Sequence, residues 1–527
     1  MKKFIIILVI VLGIIAIAIA TMFAFMKSSV GDQIVLQYDE VPDTPYKLNL
    51  DTSDFDNAIS NKRYNALSEI IPYGDIEEIQ NMISKNQISI EELVSFYGKR
   101  ISKLDREYNS VIRLNENALR EARKEDENLK NGAALRELTG VIILVKDNVS
   151  VKGMNTSAGS YALKELKTDR SSFVVKSLQE KGAIILGKVN LSEFSNFMSM
   201  PSSNGFSTLG GQTKNAYGKY DVGGSSSGSS VAASLGFSTI TIGSETSGSL
   251  IYPAGQNSVV AIKPSLGLVS RDLVIPISEA QDTLGYIGRN VKDVYKVFKY
   301  SLSKDENDPL SQNYDLLDEN ELNIELNKSY IQGKRLGILN DGSDEINKVI
   351  GDLKGLGCEV VEIQMSDELN SIDMMTVLSY GIKHDLNNYL QNPAVKSPHK
   401  NLEAIIAFNN IDDTRAPYGQ YYLELGQGNS TSKDEYESIV KRNREISSEW
   451  IDKTLEENKI DYLVSMSNAL SGVYAPAGYP AVTVPSGYRD NGEPYGVTFV
   501  GPLCKDLSLL NFAYGYEQGT MYRKNPK

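Results

Sequence analysis

The chain has 527 residues, 41% hydrophobic and 23% charged, with 17 prolines; this supplies a large buried core and is too ordered a composition for extended disorder. Its formal net charge of −13 argues against nucleic acid as a partner, because phosphate binding relies on clustered Lys and Arg. With two histidines, His384 and His399, and two cysteines, Cys358 and Cys504, neither a metal centre of three or four close ligands nor a Ser-His-Asp triad is supported; a hydrolase built here needs another base, and lysine is the obvious one.

In chain order, Met1-Lys2-Lys3 precede a run without charge from Phe4 to Met26, interrupted by Gly13 and Thr21. At about 1.5 Å per residue such a run spans a bilayer. Residues 1–27 are therefore expected to form an N-terminal transmembrane anchor, N-inside by its leading lysines although Lys27 weakens the asymmetry. A cleaved signal ending at Ala18-Ile19-Ala20 is the alternative. The expectation that follows is a single-pass protein of the cell membrane with its folded domain on the extracytoplasmic side, or a secreted protein after cleavage. Residues 28–65 are polar, carry two prolines in VPDTPYKLN and read as a linker, which leaves residues 66–527 for the domain.

Within that domain, ISIEELVSFYGKRISKLD predicts an amphipathic helix capped by Ser89, with Ile90, Leu93, Val94, Tyr97 and Ile101 on one face. GVIILVKDNVSV predicts a buried strand, SSFVVKSLQEKG a helix, and AIILGKVN another strand. Residues 302–328 are acidic and read as a surface excursion with a short helix. RLGILN, DEINKVIGDLKGLG and CEVVEIQM resume the strand–helix–strand alternation. DYLVSMS, AGYPAVTVPSG and YGVTFVG predict late strands before a closing helix around LSLLNFAYGYEQG. The expected fold class is α/β, one large domain with a central mixed β-sheet covered by helices on both faces, preceded by the transmembrane helix.

Three segments suggest chemistry. Lys146 follows five apolar residues, Val141 to Val145, so its ammonium is expected at the edge of a buried strand, where desolvation favours the neutral amine that a base requires. DVGGSSSGSSVAASLGF reads as a Gly/Ser loop entering a helix, whose first N–H groups lack intrahelical partners. Neither GxxxxGK[ST] nor a strand-anchored GxGxxG is present, which argues against a nucleotide. TIGSETSGSLIYP leaves a strand and turns through Thr246-Ser247-Gly248 to Ser249, a geometry suited to an oxyanion hole. By itself each segment is weak, because a lysine at a strand end is usually a surface charge and a Gly/Ser cluster usually a loop.

Together, VKDN, GGSSSGSS and GSETSGSLIYPA resemble the amidase-signature family. The likeness continues through SEFSN, GGQTKN, VVAIKPSLGLVSRDLVIPISEAQDTLG, AGYPAVTVPSG and YGVTFVGP, over about residues 70 to 525, and is nearest to the peptide amidase branch. The resemblance implies a Ser-cisSer-Lys amidohydrolase with Ser249 as nucleophile, Ser225 as the cis-serine relay and Lys146 as base. It also implies an oxyanion hole at Thr246, Ser247 and Gly248, a supporting hydrogen bond from Ser226, and no cofactor or metal. Ser247 stands where that branch has Asp. The implied activity is hydrolysis of a carboxamide through a serine acyl-enzyme, on C-terminally amidated peptides or small amides. Two alternatives stay open, a membrane lipid-amide hydrolase resembling fatty acid amide hydrolase and a non-catalytic binding protein on the same scaffold.

Overall fold

Apolar runs of strand length build the centre of the molecule, and the computed structural model describes it over residue 38, residues 41 and 42, and residues 44–526. Eleven of its strands form one sheet: β1 (Val111–Leu114), β2 (Ile142–Lys146), β3 (Ile184–Val189), β4 (Ile240–Glu245), β5 (Val260–Lys263), β6 (Thr283–Gly288), β7 (Arg335–Leu339), β8 (Glu359–Ile363), β9 (Tyr462–Met466), β10 (Ala481–Tyr488) and β11 (Pro494–Val500). Their spatial order is β1-β3-β2-β4-β6-β5-β10-β11-β9-β7-β8. The sheet is mixed: β2 runs parallel to both β3 and β4, and β7 parallel to β8 and β9, while the remaining pairs are antiparallel.

β2, β3, β4, β5 and β6 are buried along their whole length, which is why β2 and β3 read as buried strands. Helices cover them. Helix Ile90–Tyr108 begins where expected, because Ser89 accepts the Glu92 amide and Glu92 reaches back to the Ser89 amide. The predicted helices at Phe173–Glu180, Asp344–Gly355 and Asp506–Thr520 are also present. The acidic 302–328 stretch carries a 3-10 turn at Pro309–Leu316 and the short helix Glu319–Leu322.

Two expectations change. The body starts before residue 66, since helices Ser53–Ala58 and Asn61–Ser68 lie inside the stretch expected as linker. They bury Phe55, Ile59, Tyr64 and Leu67 against Phe96 and Tyr97 of helix Ile90–Tyr108. Gly98 permits this contact, because a Cβ there would lie 2.3 Å from the Phe55 ring.

The fold class is corrected as well, to the α/β domain with its mixed sheet, with no membrane-spanning helix among the described residues. Among the described residues no helix is long and apolar enough to cross a membrane. The longest, Lys433–Glu457, alternates charge along its 25 residues and could not shed water. The expected anchor at residues 1–27 lies outside the described residues. The single-pass cell-membrane localisation, the extracytoplasmic orientation and the membrane as a partner rested on that helix and are withdrawn with it.

Candidate active site

β2 and β4 are adjacent and parallel, with Val145 opposite Ile242, so their carboxyl ends open on the same edge of the sheet. β2 ends in Lys146, which is fully buried. Its Nζ lies 2.7 Å from Ser225 Oγ, 3.1 Å from Ser226 Oγ, 2.9 Å from Ser244 Oγ and 3.2 Å from the Ser244 carbonyl. Burial pushes the amine down to about 7, against the opposing pull of the Asp282 and Glu245 carboxylates. At neutral pH the neutral amine is thus well populated.

Two other lysines are equally buried and serve as a comparison. Lys188 donates to the carbonyl of Val149 and, at 3.0 Å, to Thr156 Oγ1, beside Asp147 at 3.5 Å. Lys263 donates to the carbonyls of Pro264 and Tyr479 at 2.9 and 2.8 Å. Neither meets a serine hydroxyl. Lys146 alone of the three meets several serine hydroxyls.

The Gly/Ser loop brings those hydroxyls to the lysine. Gly223 takes φ +70° and packs so closely on Pro253 that a Cβ would sit 2.6 Å from its Cα. A cis peptide bond joins Gly224 to Ser225. The loop is held from two sides: Asp221 accepts the Gly223 amide at 2.8 Å, and the Ser192 amide donates to the Ser225 carbonyl at 3.1 Å. Ser226 Oγ donates to the Ser244 carbonyl at 2.9 Å and accepts the Ser244 amide at 3.2 Å, fastening the loop to β4. Asn148 Nδ2 donates to Ser244 Oγ at 3.0 Å from the other side of the lysine.

The turn after β4 is organised by Glu245. Its carboxylate accepts the amides of Gly248 and Leu250, each at 2.7 Å, and of Ile251 at 3.2 Å. Leu250 gives helix Ile251–Gln256 no side-chain cap, so Glu245 takes over that task from within the sheet. Gly248 stands at φ +81°, where an added Cβ would lie 2.6 Å from Asn468 Nδ2. Ser225, Ser226 and Thr246 are buried, whereas Ser247 and Ser249 are half-buried. The Ser226 amide donates to the Ser249 carbonyl at 3.1 Å, which joins the two loops.

The structure therefore brings Lys146, Ser225 and Ser226 into direct contact and sets the Ser249 turn against them. The three turn residues expected as oxyanion donors are not equivalent, because the Gly248 amide is engaged by Glu245. Among the described residues the amides of Thr246, Ser247 and Ser249 donate to no protein group. Sequence reasoning missed Ser244, Asn148, Glu245 and Asp282. Ser244 and Glu245 carried a signal, as polar residues that close a buried strand; Asp282 carried none. Among the described residues no cluster of His, Cys, Asp or Glu is placed to hold a metal ion.

Comparison with known proteins points in one direction. A family model described as Amidase matches residues 92–472. A probable amidase of Arabidopsis thaliana is 36% identical over 466 residues, covering 86% of this chain and 91% of the relative. Among solved structures, an amidase family protein from Bacillus anthracis superposes with a TM-score of 0.86 at 35% identity, covering 92% of this chain and all of the other. The peptide amidase of Stenotrophomonas maltophilia superposes with a TM-score of 0.80 at 32% identity, covering 86% and 98%.

Proposed function

The chain belongs to the amidase family and hydrolyses amide C–N bonds, and from that premise we propose that it does so through an acyl-enzyme on Ser249, with Ser225 relaying the proton to Lys146. The observation that carries this reading is the 2.7 Å contact between the buried Lys146 amine and the hydroxyl of Ser225, in the loop joined to the Ser249 turn. A neutral amine accepts a proton from Ser225, which in turn accepts one from Ser249 as Ser249 Oγ attacks the carbonyl carbon. The tetrahedral oxyanion is received by the turn, for which the amides of Thr246, Ser247 and Ser249 are the candidates. Gly248 shapes that turn and is fixed by Glu245. The proton held by Lys146 then returns through Ser225 to the departing nitrogen, and water repeats the sequence on the acyl group.

For the substrate we propose a C-terminal carboxamide of a peptide, or a small amide of similar shape. The likeness to the peptide amidase of Stenotrophomonas maltophilia supports this choice. The test is a panel comparing amidated dipeptides, small aliphatic and aromatic amides, and N-acylethanolamines, read as ammonia or amine released. Amidated peptides are expected to give the highest kcat/KM; N-acylethanolamines exceeding them would overturn the substrate assignment.

A further inference from the structure

Asp282 is a half-buried carboxylate with no part in the chemistry so far described. It immediately precedes β6 and faces the nucleophile turn across the end of the β4–β6 pair, where Glu245 stands opposite Thr283. One oxygen accepts the hydroxyl of Thr246. The other accepts the amides of Ile277 and Ser278 at 2.8 and 3.0 Å. Next to it, Gln281 Nε2 donates to the Thr246 carbonyl at 3.3 Å. Thr246 is therefore held at both its side chain and its carbonyl by residues 281 and 282.

We propose that Asp282 is a positioning residue of the reaction, fixing the Thr246 end of the nucleophile turn and serving as the fixed anion against which the Lys146 ammonium forms during acylation. This rests on the reading of Lys146 as the base. Acylation moves a proton onto Lys146 inside a fully buried site, where a new positive charge is costly unless an anion is already in place. The charges facing Lys146 are Asp282 and Glu245. Glu245 has both oxygens committed to three backbone amides and also faces Lys263. The groups facing Asp282 are Lys146 and Arg271, itself paired with Asp308 at 2.6 Å, together with Asp385, which accepts the Glu279 amide at 2.8 Å. Desolvation pushes the Asp282 carboxyl up to about 6, so it is ionised at neutral pH.

The experiment is the pH profile of kcat/KM for the wild type, Asp282→Asn and Thr246→Val. Lys146 must be neutral to act, so activity rises with pH through its titration. Removing the neighbouring negative charge disfavours the ammonium, and Asp282→Asn is expected to move this acid limb down by about one pH unit and to lower kcat. Thr246→Val removes the anchoring hydroxyl alone and is expected to lower kcat with the limb in place. A limb unmoved in Asp282→Asn would reduce Asp282 to a structural role and overturn the inference while leaving the Lys146 reading intact. A wild-type profile without this limb would overturn the Lys146 reading and Asp282 with it. Where Asp282→Asn does not fold, Asp282→Glu serves, since it keeps the charge: kcat should fall with the limb unshifted, and a limb displaced downward would contradict the proposal.

Discussion

A lysine placed among serine hydroxyls and away from water loses more solvation than the hydroxyls return, and its proton is correspondingly loose. That balance sets Lys146 at about 7, between the burial that lowers it and the carboxylates of Asp282 and Glu245 that raise it. Replacing Lys146 with Ala is expected to lower kcat by the roughly 10² to 10⁴ of a general base and to abolish the acid limb near pH 7, with far-UV circular dichroism unchanged. A variant that keeps its rate would remove lysine from the mechanism. Lys146 was legible because five apolar residues precede it and the chain offers so little histidine. Ser225 and Ser249 were not, as loop serines at their spacing carry no signal of their own; the resemblance alone distinguished them. Asp282 was illegible for a physical reason, since its importance lies in which distant groups it meets.

At the scale of elements, the nucleophile turn is a strand end that caps the following helix. Glu245 collects three amides that would otherwise be orphaned, and Gly248 allows the chain to reverse at a positive φ. Gly248→Ala adds a Cβ where the left-handed backbone disfavours it, at about 1 kcal/mol, and places it 2.6 Å from Asn468 Nδ2. The expected result is a fall in kcat of about tenfold or more, partly restored in the double variant Gly248→Ala/Asn468→Ala, as steady-state kinetics would show. Full activity in the single variant would mean that the turn tolerates displacement. β2 and β3 were readable because a strand buried on both faces has no polar register to hide it, whereas β5 and β6 went unread. The helices Ser53–Ala58 and Asn61–Ser68 escaped notice because elements of 6 and 8 residues present too few apolar positions to show a period. The membrane helix failed differently: hydropathy alone argued for it, and no described helix supports it.

For the molecule as a whole, the site depends on one edge of an eleven-stranded sheet. β2 and β4 are separated in sequence by β3, the Gly/Ser loop and helix Ser227–Ser234, yet they lie side by side in parallel and deliver Lys146 and the Ser249 turn to the same edge. That pairing is what composition and periodicity could not supply. The late strands β10 and β11 complete the sheet beside β5 and β9, and the chain after β9 supplies Asn468 against Gly248, so distant parts of the chain shape one turn. The most direct measurement is the site of acylation in the intact protein by a serine-directed fluorophosphonate, located by peptide mass spectrometry, in wild type and Ser249→Ala. A single adduct is expected on Ser249, lost in the variant together with amide hydrolysis. An adduct on another serine, or amide turnover that survives Ser249→Ala, would contradict the assignment of Ser249 as nucleophile.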